Sequence, residues 1–117
     1  MSWKLLQYGD TLDALLRGLD VKAEARVKRD LQKLATEGNR LRGPHTDSLG
    51  HGLFELRTQH DGNIFRHIFM YYMSDIVIVL SFIKKSQKIP KNILKLAKDR
   101  RAEILSGEAK GEQATIH

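Results

Sequence analysis

Between Leu53 and Lys85 the hydrophobic period of this chain is two, and that change of rhythm constrains its fold more than any other feature. Residues 53–59, 64–73 and 75–85 read as three strands. The first two flank Asp61-Gly62, a two-residue hairpin signal, and the second and third meet at Ser74 and Asp75. Connections this short make consecutive strands antiparallel neighbours, so the segment is a meander. Its last two strands are too apolar to be wet on both sides, and helices must supply the cover.

The rest of the chain provides those helices. Leu12, Leu15, Leu16 and Leu19 recur at three and four, one helical face, with Asp10 or Thr11 as N-cap. Asp20 can cap a second helix striped by Val27, Leu31, Leu34 and Ala35, and Gly38 stands where a left-handed stop is expected. Residues 3–8 fit either an edge strand or the lead-in to a helix, and the strand is the reading adopted. GPHTDSLGHG, with Gly43, Pro44, Gly50 and Gly52, breaks periodicity and reads as an ordered loop. Pro90 suits the first turn of a last helix with Ile93, Leu96, Ala97 and Ile104 on its apolar stripe. Arg100 falls inside that stripe and needs an acidic or carbonyl partner. The expected fold is α+β: a small antiparallel sheet, the three-strand meander plus an N-terminal strand, packed by two N-terminal helices and one C-terminal helix. A single domain spans residues 1–105, and the small, polar residues 106–117 are expected to form a flexible tail.

Charge is distributed unevenly. Lys84, Lys85, Lys88, Lys91, Lys95, Lys98, Arg100 and Arg101 are set against Asp99 alone, eight minus one or +7, whereas the whole chain carries +6. A field concentrated on one segment collects a polyanion, and nucleic acid is the commonest in a cell. The absence of cysteine excludes disulfides and thiolate metal sites. The opening MSWKLLQYGD has no apolar run of signal-peptide length, and residues 76–83, the longest apolar stretch, are too few to span a bilayer, so a soluble cytoplasmic protein without membrane partners is expected. The five histidines show no ligand spacing, and no metal or cofactor is expected. His51 and His60 flank the first hairpin strand, where they could carry protons or simply be exposed loop residues.

Alternation places Glu55 and Arg57 on one face of the first strand. Pairing through Asp61-Gly62 sets Arg57 opposite Arg66 and Glu55 opposite Ile68. Two guanidiniums across a ladder repel unless an anion or a carboxylate sits between them. An RNA phosphate there would make a clamp; the plainer alternative is a wet strand face on which Glu55 pairs with either arginine. Lys84 and Lys85 point to opposite faces, as site residues or as guards against edge pairing. Tyr71 and Tyr72 also diverge, so one of them, taken as Tyr72, could stack on a base or sit at a core rim.

The ordered set Gly52, Phe54, Glu55, Leu56, Arg57, then Phe65 and Arg66, then Phe82, Lys84 and Lys85, then Pro90, Ala97 and Arg100 resembles the phage-derived HigB-like branch of the RelE toxin superfamily over about residues 3–105. The pattern is roughly G-x-aromatic-E-L-R, aromatic-R, F-x-K-K, P and A-x-x-R. The resemblance implies a RelE-like fold and the toxin of a type II toxin-antitoxin pair. Its activity would be ribosome-dependent mRNA cleavage, metal-free, with the ribose 2′-hydroxyl attacking the adjacent phosphate. A helix-turn-helix, HigA-like antitoxin, the ribosome and mRNA would be its partners. Carried over by position, Arg57 and Arg66 would ligand the phosphate, and Lys84 or Lys85 would bind substrate or transfer a proton. Glu55 would be a base or orient an arginine, and Arg100 would fix the last helix. Lys88, Lys91, Lys95 and Tyr72 would meet RNA. Relatives in the superfamily use differing acid-base sets, some with a C-terminal tyrosine, and this chain has none after Tyr72. A non-catalytic RNA- or ribosome-binding module and a ParE-like gyrase inhibitor are the alternative readings.

Overall fold

The computed structural model describes residues 3–41, 46–84 and 88–114. In chain order the elements are β1 (Lys4–Tyr8), α1 (Thr11–Arg17), α2 (Val21–Glu37), a 3-10 turn at Gly38–Arg40, β2 (Thr46–Gly50), β3 (Leu53–His60), β4 (Asn63–Tyr72), β5 (Asp75–Ile83), α3 (Lys91–Ser106) and β6 (Gly111–Gln113). One six-stranded sheet runs β2-β3-β4-β5-β1-β6. The fold is α+β, as the change of hydrophobic period implies.

The meander forms for the reasons its sequence suggests. Asp61 and Gly62 take φ of 52° and 77°, the positive values both central residues of a type I′ turn require. That turn sets the register Arg57↔Arg66 and Glu55↔Ile68. Helices α1 and α2 cover one face, where Leu12, Val27, Leu31 and Leu34 pack on Leu56, Phe65, Phe69 and Ile78. Asp20 caps α2 by accepting from the Ala23 N–H at 2.8 Å. Across the sheet, Ala97 and Ile104 of α3 pack on Leu53, Ile68, Met70, Val77 and Val79. Being covered on both sides, β4 is buried without alternation from Ile64 to Met70. Each such aliphatic side chain contributes roughly 1.5–3 kcal/mol by leaving water.

Four expectations need correction. β1 is no edge strand: it lies between β5 and β6 and runs parallel to β5, pairing Leu5 with Ile76, so the sheet is mixed rather than antiparallel. Residues 46–50, read as loop, are the edge strand β2, pairing Asp47 with Glu55. Its side chains are polar or half-exposed, so the strand is held by backbone bonds that leave no mark on hydrophobic periodicity. The expected flexible tail includes β6, which pairs antiparallel with β1 and buries Ala114, because β1 would otherwise leave an open edge. On α3, Leu96 is exposed and Leu94 packs instead, since the buried stripe through Ile93, Ala97 and Ile104 leans toward Leu94.

The last helix is tied to a defect in the sheet. β5 shifts register against β4 between the pairs Ile68↔Leu80 and Phe69↔Ile78, leaving Val79 as the extra residue. Arg100 donates from Nη1 to the Val79 carbonyl at 2.9 Å, and its guanidinium lies 4.5 Å from the centre of the Tyr8 ring. Tyr8 in turn donates to Glu103 at 2.8 Å. The arginine inside an apolar stripe thus satisfies an oxygen that the bulge frees. Neighbouring Arg101 lies flat over Gly52, where an added Cβ would come within 2.6 Å of the guanidinium, and this contact holds α3 against the turn before β3.

Candidate functional site

On the α3 face of the sheet, β3 and β4 bring together Glu55, Arg57 and Arg66. The two arginines do converge, but on a carboxylate of the protein's own. Glu55 accepts from Arg66 Nη1 at 2.9 Å through Oε2 and from Arg57 Nη1 at 2.7 Å through Oε1. The same Arg57 nitrogen also donates to Asp47, which β2 sets beside Glu55. Exposure falls steeply across this group. Asp47 is 58% exposed and Arg57 20%, whereas Glu55 and Arg66 keep only 2% and 1%.

These numbers divide the roles. Around a carboxylate as buried as Glu55, two guanidiniums and their hydrogen bonds take the place of water. Glu55 is placed to orient arginines, and it is not open to take a proton from a ligand in solvent. Arg66 meets that carboxylate and not solvent, so direct ligation of a phosphate by Arg66 is not the arrangement here. Arg57 is the guanidinium that reaches the surface. Burial alone would lower its pKa, but hydrogen bonds to Asp47 and Glu55 outweigh that and hold it above the ordinary value, fixing its charge.

Of the lysines, Lys84 lies on a continuation of this face. Phe82 of β5 pairs with Arg66, and alternation carries half-buried Lys84 to the same side two residues on. Its N–H donates to the Ile64 carbonyl at 2.9 Å, extending the ladder. Lys85 lies outside the described residues. Lys88 and Lys91 are exposed, and exposed Lys95 pairs with Asp99 at 3.0 Å. The first turn of α3 holds no acid and its last turn no base, the reverse of what a helix dipole favours. That inversion weakens the helix and raises the positive potential at its start, beside the strand end that carries Lys84.

Other candidates lie elsewhere. Tyr72 is half-buried in the α3 cluster, six residues along β4 from Arg66, about 20 Å at the rise of a strand. Tyr71 takes the other face, edge-on to Phe54 and Phe69. His51 is exposed in the turn before β3, with φ of 55°. His60 lines an open cleft of about 540 Å³ at the hairpin tip with Arg26 and Asn63, 3.4 Å from Asp61.

Sequence reasoning missed Asp47, because nothing in a polar five-residue strand advertises its pairing with β3. It also missed a polar network beneath the N-terminal helices. Buried Asp30 of α2 accepts from Thr58 at 2.7 Å, and His67 Nδ1 meets Ser81 Oγ at 2.9 Å. Burial pushes the His67 imidazole down to about 4, against a smaller opposite pull from Asp30.

Among the described residues no helix is long and apolar enough to cross a membrane. Residues 14–102 match the family described as Phage derived protein Gp49-like (DUF891). No curated protein matches the chain significantly. The match takes in the second half of α1, all of α2, the whole meander with Glu55, Arg57 and Arg66, and most of α3, and the chain belongs to this Gp49-like phage-derived family of the RelE/HigB-like toxin superfamily.

Proposed function

We propose that the chain is the toxin of a type II toxin-antitoxin pair and that it cuts mRNA on the ribosome. The observation that carries this reading is the cross-strand pair Arg57–Arg66 held by one buried carboxylate, with Arg57 alone presented at the surface. In this reading Arg57 holds the scissile phosphate and stabilises charge as the 2′-hydroxyl attacks. Glu55 and Arg66 fix its position from inside. Lys84, or its neighbour Lys85, binds the RNA or transfers a proton, and Lys88, Lys91 and Lys95 track the backbone. The ribosome supplies the positioning of message that so open a face lacks. A helix-turn-helix antitoxin of HigA type would neutralise it.

A second reading, a non-catalytic binder that stalls ribosomes, is favoured by the pairing of both Glu55 and Asp47 with Arg57, which ties up the two carboxylates described on this face. Induction in growing cells separates the readings. The nuclease reading predicts growth arrest with discrete new 5′ ends inside translated messages. Arrest with stalled ribosomes and no such ends would support the binder, and accumulation of gyrase-DNA adducts would support a ParE-like activity instead.

A further inference from the structure

We propose that the Asp47 carboxylate occupies a phosphodiester site on Arg57 and is displaced when RNA binds. The proposal rests on the RNA-directed reading above and adds to it the residue that regulates the site. Two carboxylates share one guanidinium nitrogen here, Glu55 at 2.7 Å and Asp47 on the same Nη1. They are not equivalent. Glu55 is needed by Arg66 and cannot leave without stranding a buried charge, whereas Asp47 binds Arg57 from the solvent side.

Charge reinforces the distinction. Arg57 and Arg66 against Glu55 leave one positive charge, and Asp47 cancels it. An approaching phosphodiester replaces that charge and offers two oxygens in the geometry a guanidinium fork matches, where Asp47 competes with Glu55 for one nitrogen. The backbone permits the exchange. β2 is an edge strand, bonded to β3 on one side only, with a register shift between Ser48 and Gly50, so Asp47 can withdraw without opening either core. In the free protein Asp47 therefore screens the arginine from stray polyanions, and the exchange reserves it for RNA delivered at high local concentration.

The test uses the full chain and a mixed-sequence single-stranded RNA 12-mer, titrated by fluorescence anisotropy across salt concentrations. Asp47→Asn keeps the shape and removes the charge. It is expected to bind RNA about three- to fivefold more tightly at low salt, the scale of one exposed ion pair. Asp47→Ser is expected to behave alike, and Arg57→Ala in the Asp47→Asn background is expected to abolish the gain. If the Asp47 variants bind no better while Arg57→Ala weakens binding, the displacement proposal fails and the RNA-directed reading stands. If Arg57→Ala leaves affinity unchanged in both backgrounds, both fail.

Discussion

A carboxylate with 2% of its surface in water depends on its neighbours, and Glu55 has two. Replacing Arg66 with Met leaves it one guanidinium short inside the protein, which costs about 3 kcal/mol, whereas replacing Glu55 and Arg66 together with Met removes both buried charges and is expected to cost less than the single change. Urea unfolding of the single and double variants decides this; a double variant as unstable as the sum of the singles contradicts it. The opposite face holds a second buried ionisable group. His67, at about 4 in the folded state against an ordinary 6.5, is neutral when folded while the unfolded chain takes up a proton as pH falls below 6.5. Stability is therefore intact above pH 6.5, declines as pH falls toward 4 and levels off below. At pH 5 the loss is about 2 kcal/mol, and His67→Gln is expected to flatten the decline; an unchanged slope in that variant would place the acid sensitivity elsewhere. The arginine pairing was legible in the sequence because a two-residue turn fixes register. The burial that sorts Arg66 from Arg57 was not, because it depends on how the surrounding elements close over the sheet.

The elements show where local rules carry a fold and where they stop. Helix α2 and the β3–β4–β5 meander were readable because each bears an apolar stripe or strand run bounded by Asp20, Gly38 or Asp61-Gly62. β2 and β6 were not, since both are short, polar and held by backbone bonds to a neighbour's edge, a tertiary fact without a compositional trace. β6 nonetheless has a physical task, because it closes the outer edge of β1. Ending the chain after Lys110 is expected to lower the melting temperature by several degrees and to expose a pairing edge that promotes self-association. Calorimetry and light scattering test this together. A truncated protein with unchanged melting temperature and mass would show that β6 contributes nothing to the sheet.

At the scale of the molecule, a mixed sheet lies between two helical layers, and its α3 face carries the cationic features. The charge count was legible in the sequence, placing +7 on residues 84–101, a stretch that runs from just past β5 through most of α3. What the count could not supply is the internal anion, Glu55, around which the arginines close. The chain's function then turns on whether Arg57 acts on a phosphate during translation. The most direct measurement is the rate of message cleavage on programmed ribosomes by the unaltered protein and by Arg57→Ala, each shown to be folded by its melting temperature. A fall of about 10²–10³ in rate with little change in stability is predicted, the scale for removing one donor from a developing negative charge. Equal cleavage by the two proteins would contradict the account.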